Sequence, residues 1–201
     1  MATVQTTIDN WTSDGGERHT LYGSVPGLVI QWLNAAQLRF THKSGCLRST
    51  WEPTLDSEGY ADLPEDFLKI VKDRVKWSST QTLIEGNYHD LIQRTMSSTT
   101  HYCVHEGKFY VFGPSAGSPV VPYVKKPNTV TIANRTNAFL DIPSEYHEDL
   151  VLYLDAMFAR RKGDVTGWIA LLAAFDDKAT KAGMEISRRI DPVPMMKGGL
   201  W

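Results

Sequence analysis

An α+β fold is the class this chain predicts, and three observations predict it. Apolar residues recur at helical spacing near the start and again through the last third of the chain. The stretch between them is cut into short runs rich in β-branched and aromatic residues, punctuated by Gly, Pro, Asn and Ser. The composition, 42% hydrophobic and 22% charged over 201 residues, is that of an ordinary globular protein large enough to build a core without a staple. Together these predict a helical bundle, an N-terminal helix plus a C-terminal helical hairpin, carrying a β-rich insertion.

Taken in order, Thr3–Trp11 reads as a short helix and Ser13–Gly23 as a polar, glycine-bearing loop. Val29, Trp32, Leu33, Ala36 and Phe40 then fall on one helical face. Pro26 suits the first turn, Ser24 is the expected N-cap and Gly45 the expected left-handed stop, so a helix is predicted over 26–43. From 46 to 142 the pattern is β-rich. Strand-like runs are Leu47–Leu55, Phe67–Trp77, Thr80–Ile84, His101–His105, Lys108–Phe112, Pro119–Val124 and Thr129–Ile132. Glu106-Gly107 reads as a hairpin turn, and Asn87–Met96 as a short helix with Tyr88, Leu91 and Ile92 on one side.

In the last third, Tyr146, Leu150, Tyr153, Leu154, Met157 and Phe158 keep helical spacing. Ser144 is the expected N-cap, acidic residues fill the first turns, and Arg160-Arg161-Lys162 sit at the negative end of the helix dipole. Gly163 stops this helix and Asp164 caps the next, whose face is Trp168, Leu172, Phe175, Ala179, Ala182 and Ile186. The short link predicts an antiparallel hairpin over 144–188. The expected organisation is one domain over 1–191, with its helical core at 26–43 and 144–188 and its insertion at 46–142, followed by a proline-broken tail, 192–201.

Several function classes recede on composition. A formal charge of −2 gives no positive field for nucleic acid. Two cysteines, Cys46 and Cys103, make no disulfide framework and fit a reducing compartment. The first residues have no basic end followed by an apolar run, and no apolar stretch approaches the ~20 residues of a membrane span. No secretion signal and no membrane are therefore expected. Nucleophile-elbow, phosphate-loop and dinucleotide signatures are absent from the sequence.

The best chemical candidate is His101, Cys103 and His105. Alternate residues of a strand share a face, and imidazole with thiolate is zinc chemistry. His42, Cys46 and His89 are the remote fourth-ligand candidates. The competing reading is a strand face with a small buried Cys, and the expectation is no catalytic site, no metal and no cofactor. Asp56, Glu58, Asp62, Glu65 and Asp66 read as solvated turns rather than as paired catalytic carboxylates. In the tail, Met195, Met196, Leu200 and Trp201 are apolar anchors suited to docking, either onto this chain or onto a partner. The stretch Pro114–Pro127 reads in addition as a long loop whose Val120, Val121 and Tyr123 would form an exposed apolar patch beside Lys125 and Lys126.

Four segments in order resemble one family. Val-Ile-Gln-Trp-Leu-Asn-Ala-Ala-Gln-Leu-Arg-Phe at 29–40 looks like the first core helix of phage head-to-tail adaptor proteins. Tyr-Ala-Asp-Leu-Pro-Glu-Asp-Phe-Leu-Lys-Ile at 60–70 is similar to their Y-x-L-P-x-D-F-x-x-I segment. His101-Tyr102 followed by 107–114 resembles their central hairpin, and Asp141–Val151 their entry to the closing helical hairpin. The resemblance spans about 25–185. It implies a virion protein of the head–tail junction, made in the host cytoplasm, without enzymatic activity or cofactor. Its copies would form a dodecameric ring under the portal protein that continues the DNA channel, without specific DNA binding, and offers a platform to the tail or nozzle protein. On this reading Met195, Met196, Leu200 and Trp201 contact the portal, and Val120, Val121, Tyr123, Lys125 and Lys126 contact neighbouring subunits or the tail. The rival readings are a tail-completion or stopper protein of the same neck, and a small metal-dependent enzyme.

Overall fold

The computed structural model describes residues 3–77, 81–93, 101–112 and 118–190. It is an α+β protein whose described residues form two compact units, 3–46 with 127–190, and Leu47–Lys126.

The first unit is helical. Helix α1 spans Val4–Thr12, and the Thr3 hydroxyl caps it by accepting from the Thr6 amide at 3.1 Å. Gly16–Ser24 is a second helix, α2, where a loop was expected. Its nine residues bury only Leu21, so they carry no apolar period; packing of that residue beside α3 made the helix. Helix α3, Pro26–Ser44, runs as the spacing predicts. Its stop is Gly45 at φ +62°, a left-handed conformation that Cβ-bearing residues disfavour. The expected Ser24 cap is not made: Ser24 donates to the Thr20 carbonyl instead, and Val25 precedes α3 without a side-chain cap.

A 3-10 turn at Ser144–Tyr146 leads into the closing hairpin. Ser144 lies inside that turn and makes no cap, which corrects the second expected cap. Residues His147–Arg161 form a helix, numbered α5 in chain order after the short α4 of the second unit, and Val165–Ile190 form α6. Asp164 caps α6 as its sequence suggests, accepting from the Gly167 amide at 2.8 Å. Phe40 meets Tyr146 and Phe175 at 5.4 and 6.0 Å between ring centroids. Trp11, 1% exposed, keeps its indole N–H satisfied by donating to Asp155 at 2.7 Å.

Residues 127–142, expected in the β insertion, belong to this helical unit. Val130, Leu140 and Ile142 are buried in its core. The expected strand Thr129–Ile132 does not form. The Asn34 amide on α3 donates to the Val130 carbonyl at 2.8 Å and its oxygen accepts from the Val130 amide at 2.9 Å. A helix side chain thus occupies the backbone groups that a strand partner would take.

The second unit is built of short strands and one short helix: β1 Arg48–Trp51, β2 Tyr60–Asp62, β3 Phe67–Ile70, β4 Lys76–Trp77, β5 Gln81–Thr82, β6 Ile84–Glu85, α4 Tyr88–Ile92, β7 His101–His105, β8 Lys108–Phe112 and β9 Pro119–Lys125. One sheet runs β1-β9-β4-β5 with β3 also on β9; the other runs β2-β8-β7-β6. The β7–β8 hairpin turns at Glu106-Gly107, both at positive φ, as the sequence signals. Strand β9 is the hub. It pairs with β1 along one edge and with β4 and β3 in succession along the other. Pro122 is tolerated because β4 stops at Val120 and β3 starts at Tyr123.

This hub corrects the long-loop expectation for 114–127. Val121 and Tyr123 are core residues, 0% and 6% exposed, and form no surface patch. The alternation of Pro119, Val121 and Tyr123 toward the inside outweighed the prolines. Residues 113–117 and the tail 191–201, with Met195, Met196, Leu200 and Trp201, lie outside the described residues.

Candidate interaction surfaces

The β7 register places His101 opposite Phe112, Cys103 opposite Tyr110 and His105 opposite Lys108, so the three candidate ligands do share a face. Their surroundings are those of packing. Cys103 is 3% exposed, and burial pushes its thiol up to about 11, so it stays protonated near neutrality. The His105 ring stacks on Tyr88 at 4.1 Å with only 15° between planes. His89 of α4 lies edge-on to it at 5.7 Å. Among the described residues no group of three or more His, Cys, Asp or Glu side chains is placed to hold a metal ion.

What the same face does present is aromatic. Along β8 the residues alternate, with Phe109 in the core and Lys108, Tyr110 and Phe112 on the other side, all partly exposed. Tyr60 of β2 sits beside Tyr110 at 5.3 Å, and Tyr88 of α4 packs on Tyr110 at 4.8 Å. The Lys108 ammonium lies 3.8 Å over the Tyr60 ring, a cation–π contact. A half-exposed cluster of Tyr60, Tyr88, Tyr110, Phe112 and His105 has the composition of a protein-contact surface. Candidate selection by metal-ligand spacing missed it. The available signal was β8 itself, Lys-Phe-Tyr-Val-Phe, which puts aromatics on both faces where a solvated strand has polar residues on one.

The SU10 adaptor protein family model matches residues 1–193. The chain belongs to that family. It is a phage adaptor protein, a virion component of the neck that associates with other neck proteins. Among curated proteins none matches it.

The other sequence candidates in the adaptor resolve into structural roles. Asp56 holds a turn: desolvation alone would raise its pKa, but the amides of Tyr60 and Glu58 donate to its carboxylate and the net shift is downward. Asp66 accepts from the Tyr123 hydroxyl at 2.9 Å, tying β9 to the segment before β3. Arg160 stacks over Trp168, Lys162 pairs with Glu17, and the exposed Arg161 closes the last turn of α5. Lys126, exposed, reaches the Glu65 carbonyl; Lys125 and Val120 are half-buried. Of the five residues expected at an interface, Val120, Lys125 and Lys126 thus have surface to offer. Among the described residues no helix is long and apolar enough to cross a membrane.

Proposed function

We propose that this adaptor forms a closed ring beneath the portal, continues the DNA channel and joins the capsid to the tail. The observation that carries the reading is family membership across nearly the whole chain, 1–193. Charge is compatible with it. A channel that lets DNA pass must not hold phosphates through clustered cations, and here the formal charge is −2, with Lys178, Lys181 and Arg189 of α6 paired to Asp149, Asp177 and Glu145. No part of the reading requires catalysis or a cofactor. The aromatic face around Tyr110 has the composition to hold the next neck protein.

The portal contact in this reading is the tail, through Met195, Met196, Leu200 and Trp201. Pro192 and Pro194 restrict the chain and reduce the entropy lost on docking, and repetition around a ring multiplies a weak contact. Electron microscopy of the neck tests the ring directly. Truncation after Asp191 tests the tail: the shortened protein is expected to keep its melting curve and lose portal binding. Portal binding at full affinity by the truncated chain would remove the tail from the reading and leave the ring standing.

A further inference from the structure

Within the helical unit a groove of about 560 Å³ opens between α2 and the last turn of α5. That volume suits a small ligand or the anchoring side chains of a bound segment. Its floor is apolar: Leu21 is buried, Phe158 half-buried and Val25 36% exposed. Thr20 and Ser24 stand in the wall, but their hydroxyls donate to the carbonyls four residues earlier, of Gly16 and Thr20, at 3.0 and 2.8 Å. Their hydrogens are turned to the backbone of α2, and the wall offers an occupant few donors.

The charges around this floor do not cancel. Glu17, Arg161 and Lys162 line the groove. Glu17 and Lys162 pair with each other and so join α2 to the end of α5, and the Lys162 ammonium also lies 5.6 Å over the Phe158 ring. The Arg161 side chain is exposed and pairs with no carboxylate among the described residues. An apolar floor is thus bordered by one uncompensated positive charge.

That combination selects the occupant. A wholly apolar segment would desolvate Arg161 without a counter-charge, at a cost. A wholly anionic one would leave Leu21, Val25 and Phe158 in water. We infer that the groove receives a segment of another neck protein in which a large apolar side chain stands next to, or one residue away from, a carboxylate. The apolar side chain covers Leu21, Val25 and Phe158, and the carboxylate accepts from the Arg161 guanidinium, whose planar fork donates to both of its oxygens. The inference rests on the association of this adaptor with other neck proteins and is independent of the ring and of the tail.

Assembled particles carrying Arg161→Lys test it. The variant keeps the charge and supplies an amine that a zero-length carbodiimide joins to a carboxylate in contact with it. The Lys162–Glu17 pair is the internal control, because its own link shows that the reagent entered the groove. Mass spectrometry is expected to find the new amine joined to an Asp or Glu of a different neck protein, with a large apolar residue beside it. Adding Val25→Asp, at an exposed position, is expected to lower the yield of that link roughly tenfold and to leave the melting curve of the purified adaptor unchanged. Links confined to this chain, in the same or a second copy, would overturn the assignment. So would a linked carboxylate with no apolar neighbour, a yield that Val25→Asp does not move, or the control link alone. Neither result bears on whether the adaptor closes into a ring.

Discussion

The two units of this adaptor reach stability by different routes. The helical unit buries a long list of side chains in one core, from Val4 to Ala182, and ties distant segments together through the half-buried amide of Asn34 and the indole N–H of the buried Trp11. The β unit has strands of two to seven residues, and among its described residues the buried cluster is smaller: Val75, Trp77, Leu83, Tyr102, Phe109 and Val121. Short strands contribute few ladder hydrogen bonds each, so the second unit depends on one hub, β9, and on aromatic packing to either side of β8. The lesson is one of arrangement: in the β unit the partly exposed rings of Tyr60, Tyr88, Tyr110 and Phe112 pack on one another at the surface, whereas in the helical unit the rings of Trp11, Trp32, Phe40, Tyr146 and Phe175 are buried in one core.

The comparison is tested first where the effects are largest. Phe40→Ala in the helical core and Phe109→Ala in the β core, both 0% exposed, are each expected to cost about 3–5 kcal/mol in a denaturant melt. The Phe109 variant should also lose amide protection at Tyr102–His105 and Val121–Val124. A cost below ~1 kcal/mol there would mean that the β unit is not held by that ring.

Next comes Gly183→Ala. Alanine in a helix interior is favoured over glycine by up to about 1 kcal/mol. An added Cβ would meet the Ser44 carbonyl oxygen at 2.9 Å and Ser44 Cα at 3.0 Å, backbone atoms that cannot swing aside. Overpacking of this kind costs about 1–3 kcal/mol, so net destabilisation is expected. A gain in stability would show that α6 does not approach the end of α3 so closely.

The smallest effect concerns the ion pair that joins α3 to α6. The Arg39 guanidinium hydrogen-bonds Asp176 through both Nε and a terminal nitrogen and, despite desolvation, holds its carboxyl below the ordinary aspartate range, with Lys43 helping. A depressed folded-state pKa gives stability that is present above the unfolded value, near pH 4, and is lost as pH falls through the folded one. Asp176→Asn should therefore cost about 1 kcal/mol near neutrality, a figure reduced because Arg39 is partly exposed. The difference from wild type should shrink as pH drops below about 4. A pH-independent difference would assign the loss to packing instead.

Much of this fold was legible along the chain, for physical reasons that differ by element. Helices α3, α5 and α6 declare themselves because one apolar face repeats over many turns, and Gly45 and Asp164 act through their own backbone or their nearest neighbours. The β7–β8 hairpin is equally local, since Glu106-Gly107 sets the turn and the register follows. Helix α2 was hidden, because a single buried Leu21 has no period. Strand β9 showed both a strand pattern and a proline pattern, and only its neighbours on two edges decided between them. Residues 129–132 are rich in β-branched side chains, yet Asn34 from a helix far away in sequence took both backbone groups of Val130. The surfaces follow the same division. The three candidate ligands share a face because alternation is local. That the face is packed with Tyr60, Tyr88 and Tyr110 rather than open to a metal follows from pairings between strands and a helix remote in sequence, which only the tertiary structure creates.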